Sequence, residues 1–166
     1  MSLSTNLLDA LSPKNRIFVA FSGGLDSTAL LFLCNKALKQ KKIRNLKAIH
    51  INHNLSKNSD NWQQHCESFC RSNNIKFESF IVEVSKNRSS IESQARQVRY
   101  KIFESLLDEN DQILLAHHRD DVFETILLRL FRGTGVDGLS GLNEKRSLGK
   151  GAVSYTHLTL PTNSGV

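Results

Sequence analysis

The chain lacks any apolar run near the roughly 20 residues that a membrane-spanning helix needs. Its first residues, Met1-Ser2-Leu3-Ser4-Thr5-Asn6, have neither the basic start nor the long apolar core of a secretory signal peptide. Three cysteines are an odd number for a disulfide framework, which points to a reducing, cytoplasmic setting. They are also wrongly spaced for a Cys-x-x-Cys pair: Cys66 and Cys70 stand one helical turn apart and Cys34 lies far from both. Buried core thiols are therefore expected ahead of cysteine-bound zinc. Two common phosphate-binding signatures are missing as well. There is no Gly-x4-Gly-Lys-Ser/Thr, so no loop lysine reaches a phosphate, and no Gly-x-Gly-x-x-Gly. No internal repeat or low-complexity segment occurs. With 166 residues the chain can form one domain with a real core.

What is present begins with a positive balance. The net charge of +6 suits an anionic partner. Much of it crowds into Lys36, Lys39, Lys41, Lys42, Arg44 and Lys47, which reads as a solvated helix end complementing the helix dipole. The last stretch, Val153-Ser154-Tyr155-Thr156-His157-Leu158-Thr159-Leu160-Pro161-Thr162, has no charged residue and no helical period. It looks like translated read-through of a common sequencing-library adapter. On that reading residues 1–151 are the domain and 152–166 a non-native tail to be left out of fold reasoning. The alternative is a genuine β-strand, which Thr and Tyr suit.

Apolar periodicity predicts alternating elements. A short leading helix holds Leu7, Leu8 and Leu11 before Pro13. Strands are expected at Ile17–Phe21, Leu46–Ile51, Phe77–Val84 and Gln112–Ala116. Glu78 and Glu83 place the third of these near a sheet edge. Helices are expected from Asp26 to about Gln40, with Leu30, Leu33, Ala37 and Leu38 inward, and from Asp60 to about Ser72, with a core stripe of Trp62, Cys66, Phe69 and Cys70. Two more run from Ile91 to about Leu107 and from Asp120 to Arg132, before a loop-forming stretch with Gly133, Gly135, Gly138 and Gly141. Strand–helix alternation of this kind predicts a doubly wound α/β fold, a mainly parallel, Rossmann-like sheet with helices on both faces. Ligands gather at the carboxyl ends of the strands in such folds. Ser22 to Ser27, His50 to His53 and His117 to Asp121 all fall there.

Ser22-Gly23-Gly24-Leu25-Asp26-Ser27 joins the first strand to the first helix. Adjacent glycines let the backbone turn sharply and bring N–H groups close to a ligand. The helix start adds unpaired N–H groups and the positive end of a dipole, which together make a phosphate cradle. Asp26 beside a polyphosphate is repulsive unless a cation lies between, so Asp26 is a candidate Mg²⁺ contact. A plain turn with Ser22 or Asp26 as N-cap is the alternative. Asp120, Asp121 and Glu124 share a face in the first turn of the expected fourth helix, where they can cap it or face a metal or a substrate amine. His117 and His118 precede them and can position a phosphate or transfer a proton. Arg96 and Arg99, three apart, suit phosphate oxygens or a solvated face with Glu92 paired to Arg96. Arg129, Arg132 and Gly133-Thr134-Gly135 can end a helix or hold a phosphate or polynucleotide backbone.

The hexapeptide resembles the PP-loop of the N-type ATP pyrophosphatases. His50-Ile51-Asn52-His53-Asn54-Leu55, Glu92 to Tyr100, Ala116-His117-His118-Arg119-Asp120-Asp121-Val122-Phe123-Glu124-Thr125 and Arg132-Gly133-Thr134-Gly135 are then similar, in order and spacing, to the tRNA(Ile)-lysidine synthetase family. The resemblance covers nearly all of residues 14 to 142, and its His-His-x-Asp-Asp-x-x-Glu-Thr stretch is more specific than the loop. It implies an adenine nucleotide alpha-hydrolase-like fold. It further implies an ATP-dependent reaction that joins L-lysine to C2 of the wobble cytidine of a CAU-anticodon isoleucine tRNA, releasing pyrophosphate and AMP. ATP and Mg²⁺ are the implied cofactors, and a homodimer is left open. Carried onto this sequence, Ser22 to Ser27 would hold ATP, with Mg²⁺ on Asp26. Asp26, His117, Asp121 and Arg132 would serve catalysis, and Arg96, Arg99, Asp120, Glu124, Gly133 and Thr134 would meet lysine or tRNA. The departure is length: the family continues past this point, so the chain is expected to bind ATP weakly at best and to be inactive on tRNA as it stands. A 2-thiocytidine-type thiolase, an amidotransferase-type synthetase and a non-catalytic ATP-binding module are the competing readings. The thiolase would need paired cysteines and the amidotransferase a glutaminase domain.

Overall fold

A computed structural model describes residues 11, 16–83, 91–117 and 145–157. Strand β1 (Arg16–Ala20) is followed by helix α1 (Leu25–Lys39), β2 (Asn45–Asn52), α2 (Ser59–Ser72), β3 (Lys76–Ile81), α3 (Ile91–Leu106), β4 (Gln112–His117) and the hairpin β5 (Lys145–Leu148) and β6 (Gly151–His157). The strands form one sheet in the order β3-β2-β1-β4-β6-β5. Every pairing is parallel except β5 with β6. The expected leading helix (apart from Leu11), the fourth helix and the glycine stretch after it lie outside the described residues.

Alternation along the strands explains the two-faced core. Ile17, Val19 and Phe21 of the β1 segment join Leu46, Ala48 and Leu114 on one face, under Leu30, Leu31 and Cys34 of α1 and Cys66 and Cys70 of α2. Phe18, Ile49, Ile113, Leu115 and Val153 face the other way, onto Phe103 of α3 and Leu107. The helices thus cover both faces, as the doubly wound pattern predicts. β3 is an edge strand, and its Glu78 is tolerated because it reaches Lys47 of β2 at 2.5 Å.

Three expectations change. Along α1, Leu30 and Ala37 are buried but Leu33 and Leu38 only partly, while Leu31 and Cys34 lie deeper, because the stripe facing the sheet is centred one position away from the expected one. Trp62, expected in the core stripe of α2, is 51% exposed. Residues 151–157 form β6, in register with β4 from Gln112↔Ala152 to His117↔His157, and Val153 is fully buried. Any segment offering Val153 and Tyr155 at strand spacing can take that register, so β6 concerns the fold and not the origin of residues 152–166.

Chain order places the site. From β1 the chain winds outward to β2 and β3, then returns to β4 on the other side of β1. The carboxyl end of β1 is therefore the point where the winding direction reverses, where such sheets open a crevice.

Candidate active site

Ser22 to Ser27 lies at that reversal. Gly23 has φ +83°, a left-handed conformation that side chains resist. A Cβ there would stand 2.7 Å from Cys66 Sγ and 3.1 Å from Trp62 Nε1, so α2 forms a floor that only glycine can lie against. Gly24 is the N-cap of α1 and makes no side-chain cap bond. The alternative, a turn capped by Ser22 or Asp26, is thereby not what α1 has. The hydroxyls turn inward instead: Ser27 Oγ and Thr28 Oγ1 donate to the Gly24 carbonyl at 3.0 and 2.8 Å, and Ser22 Oγ lies 3.0 Å from Ser27 Oγ. The first-turn N–H groups of α1 are left facing outward without a side-chain acceptor, as an anion site needs. Asp26 stands in the same turn, partly exposed, and no cation of the described residues pairs with it. A hard divalent cation held by this carboxylate beside a phosphate fits that donor set.

Two side chains pin the backbone entering the loop. His50 of β2 is buried, its Nδ1 2.8 Å from the Phe21 carbonyl. Because the carbonyl can only accept, Nδ1 carries the proton. Trp62 Nε1 donates to the next carbonyl, that of Ser22, at 2.6 Å. Asn52, at the end of β2, ties the neighbouring loop. Its Oδ1 accepts from Asn54 N–H at 2.9 Å, while its Nδ2 donates to Gln63 Oε1 at 3.1 Å.

His53 directly follows β2 at its carboxyl end. Burial pushes the His53 pKa below its ordinary value, and the charge of Arg99 and the nearby His50 add to that. His53 Nδ1 is buried with no hydrogen-bond partner among the described residues. The Arg96 guanidinium lies 5.6 Å over the Tyr100 ring. His117 ends β4 on the same sheet edge. His118, Asp120, Asp121, Glu124, Arg132, Gly133 and Thr134 lie outside the described residues.

The thiols behave as core residues. Cys34, Cys66 and Cys70 are fully buried, and burial pushes them up to about 12, 11 and 12. The basic cluster of Lys36 to Lys47 follows the carboxyl end of α1 and leads into the amino end of β2, at the opposite end of the sheet from the loop. It is a solvated helix end and not part of this site.

Trp62 and Asn52 were not among the site residues expected from sequence. A signal existed for Trp62: it shares a helix face with Cys66, and the first turn of a helix that follows β2 must lie at the carboxyl edge.

A family model described as a PP-loop domain matches residues 2–158. The tRNA(Ile)-lysidine synthase of Legionella pneumophila (strain Lens) is 44% identical over 159 residues, covering 96% of this chain and 36% of that protein. The tRNA(Ile)-lysidine synthase of Pseudomonas syringae pv. tomato is 43% identical over 162 residues, covering 96% and 35%. This chain therefore spans about a third of the length of these relatives. The solved U34-tRNA thiolase NcsA from Methanococcus maripaludis, with its 4Fe–4S cluster, superposes with a TM-score of 0.65 at 21% identity, over 94% of this chain and 58% of that one, a likeness of fold. The family model spans nearly the whole chain, the glycine turn at the winding reversal included, and the chain belongs to the PP-loop domain family.

Proposed function

We propose that this chain is the nucleotide-binding part of a tRNA(Ile)-lysidine synthetase, which joins L-lysine to the wobble cytidine of CAU-anticodon isoleucine tRNA at the expense of ATP. The observation that carries it is the Ser22–Ser27 turn, with Gly23 at φ +83° and no side-chain cap on α1, in a chain 44% identical to a protein of that name. The loop and first-turn N–H groups would take the β,γ-phosphates. Mg²⁺, held by Asp26, would neutralise charge on the departing pyrophosphate. The cytidine O2 attacks the α-phosphorus of ATP and the bond to pyrophosphate breaks. The lysine ε-amine then attacks C2, loses a proton, and the C2–O bond to AMP breaks.

Sequence resemblance alone supplies the remaining roles. Asp120, Asp121 and Glu124 would receive the lysine ammonium, with His117 and Arg132 beside the activated base and Gly133-Thr134 and Arg96 on the tRNA. Arg99 is set among these by the same resemblance, and its charge helps to lower the pKa of His53 just past β2. A single-stranded anticodon base can be splayed out and read in such a crevice.

A thiolase reading requires thiolates open to a cluster. Here Cys34, Cys66 and Cys70 are packed into the apolar core as protonated thiols, which does not fit that chemistry.

The test is lysine incorporation with ATP, Mg²⁺, labelled lysine and unmodified CAU-anticodon isoleucine tRNA, using the product of the re-amplified full-length gene. Incorporation that Asp26→Ala abolishes supports the synthetase reading and the role of the loop. ATP binding without incorporation moves the assignment to another PP-loop tRNA modification or to a binding module.

A further inference from the structure

Every peptide bond of the described chain is trans, so within each planar unit the C=O and the following N–H point in opposite directions. The Ser22 carbonyl is drawn toward α2 by the Trp62 indole N–H at 2.6 Å. The Gly23 N–H of the same peptide plane must then point away from α2. The preceding carbonyl, of Phe21, is already held by His50 at 2.8 Å. One further rotation would reverse the Gly23 N–H, a flip of the Ser22–Gly23 peptide, and glycine at φ +83° offers it little steric resistance. Trp62 opposes that flip. Its ring is half exposed and lies tilted against His65 with centroids 5.8 Å apart, so the indole contributes little to the core. Its well-made polar contact is with the loop.

We infer that Trp62 is a positioning residue for the phosphate cradle, acting through the Ser22 carbonyl to aim the Gly23 N–H at a bound polyphosphate. This rests on the nucleotide reading above. It predicts an effect confined to phosphate recognition, because nothing in the contact touches a nucleoside.

Trp62 is the chain's single tryptophan, which allows a substitution of one atom. Residue-wide replacement of tryptophan by 3-benzothienylalanine keeps the ring shape and exchanges N–H for sulfur at this position alone. Trp62→Phe is the genetic counterpart. Binding of Mg·ATP and of adenosine would be measured by calorimetry on the full 166-residue chain, beside thermal unfolding. Loss of one hydrogen bond that orders the cradle is expected to weaken Mg·ATP about tenfold in both variants and leave adenosine unchanged. Equal weakening of Mg·ATP and adenosine overturns the inference, since a general loosening of α2 would do that. Unchanged Mg·ATP affinity in the benzothienyl protein overturns it as well and leaves the nucleotide reading intact. Failure of the unsubstituted protein to bind Mg·ATP, both as the 166-residue chain and within the full-length gene product, overturns both.

Discussion

Gly23 and Gly24 are adjacent and differ in what they tolerate. At Gly23 a side chain meets a left-handed φ, costing on the order of 1–2 kcal/mol, and overlaps Cys66 Sγ at 2.7 Å. Gly23→Ala should therefore lower the thermal midpoint and abolish nucleotide binding. Adding Cys66→Ala should recover the steric part of the stability loss and not the part due to φ. Gly24 has an extended backbone, and a Cβ there meets only Ser22 Oγ at 3.5 Å. Gly24→Ala should leave the thermal midpoint within a few degrees, and any loss of ATP affinity would then come from the approach of the ligand. A midpoint that falls equally in both variants would refute this distinction. His53 adds a pH dependence. Its pKa is lowered in the folded chain, so between that value and the ordinary one of about 6.5 the unfolded chain binds more protons. Stability should rise with pH across that window and be lost as pH falls below about 6.5. His53→Gln should flatten that slope in urea unfolding at pH 5 to 7.5, and an unaltered slope would assign the effect to other groups. The glycines could be read from sequence because a turn with two of them says where backbone approaches something. The Trp62–Ser22 bond could not, because it joins residues 40 apart.

Among the elements, the two ends of β1 have separate tasks. At the carboxyl end the chain turns into the uncapped α1. At the amino end Arg16 binds Asp111, donating from Nε at 2.9 Å and also from Nη2, and it reaches Asp108 at 2.5 Å. Asp111, nearly buried, also accepts the Asp108 N–H at 2.7 Å. Asp111→Ala strands both donors at the close of α3 and should cost about 1–3 kcal/mol in denaturant unfolding. Because this lies at the far end of the strand from the loop, Mg·ATP affinity should not move, and a parallel loss of affinity would contradict that separation. Strands β1 and β4 were legible from the apolar runs Ile17–Phe21 and Ile113–Ala116, a consequence of being covered on both faces. β3 was legible as an edge from Glu78 and the nearby Glu83, although the strand ends at Ile81 and not at the expected Val84. The face of α1 was read one position off, because Leu30, Leu31, Leu33 and Cys34 are all apolar and periodicity alone does not rank them.

At the scale of the whole molecule, no helix among the described residues is long and apolar enough to cross a membrane. The sheet needs β6 to cover β4. Val153 is fully buried in the cluster with Phe103, and Gln112 Nε2 donates to Ser154 Oγ at 2.7 Å. Deleting residues 152–166 would bare the β4 edge and remove that packing, of which the valine alone is worth about 1.5–3 kcal/mol. The expected result is a lower thermal midpoint and aggregation seen by light scattering, while an unchanged midpoint would mean that β6 contributes little. The α/β alternation, the glycine turn with its acid, and the gathering of histidines at strand ends were readable from local pattern, because periodicity and turn chemistry are local. Packing between distant segments alone set Trp62 against the loop and residues 151–157 into the sheet. Each depends on which element packs beside which, a matter of long-range contact geometry that no local pattern encodes.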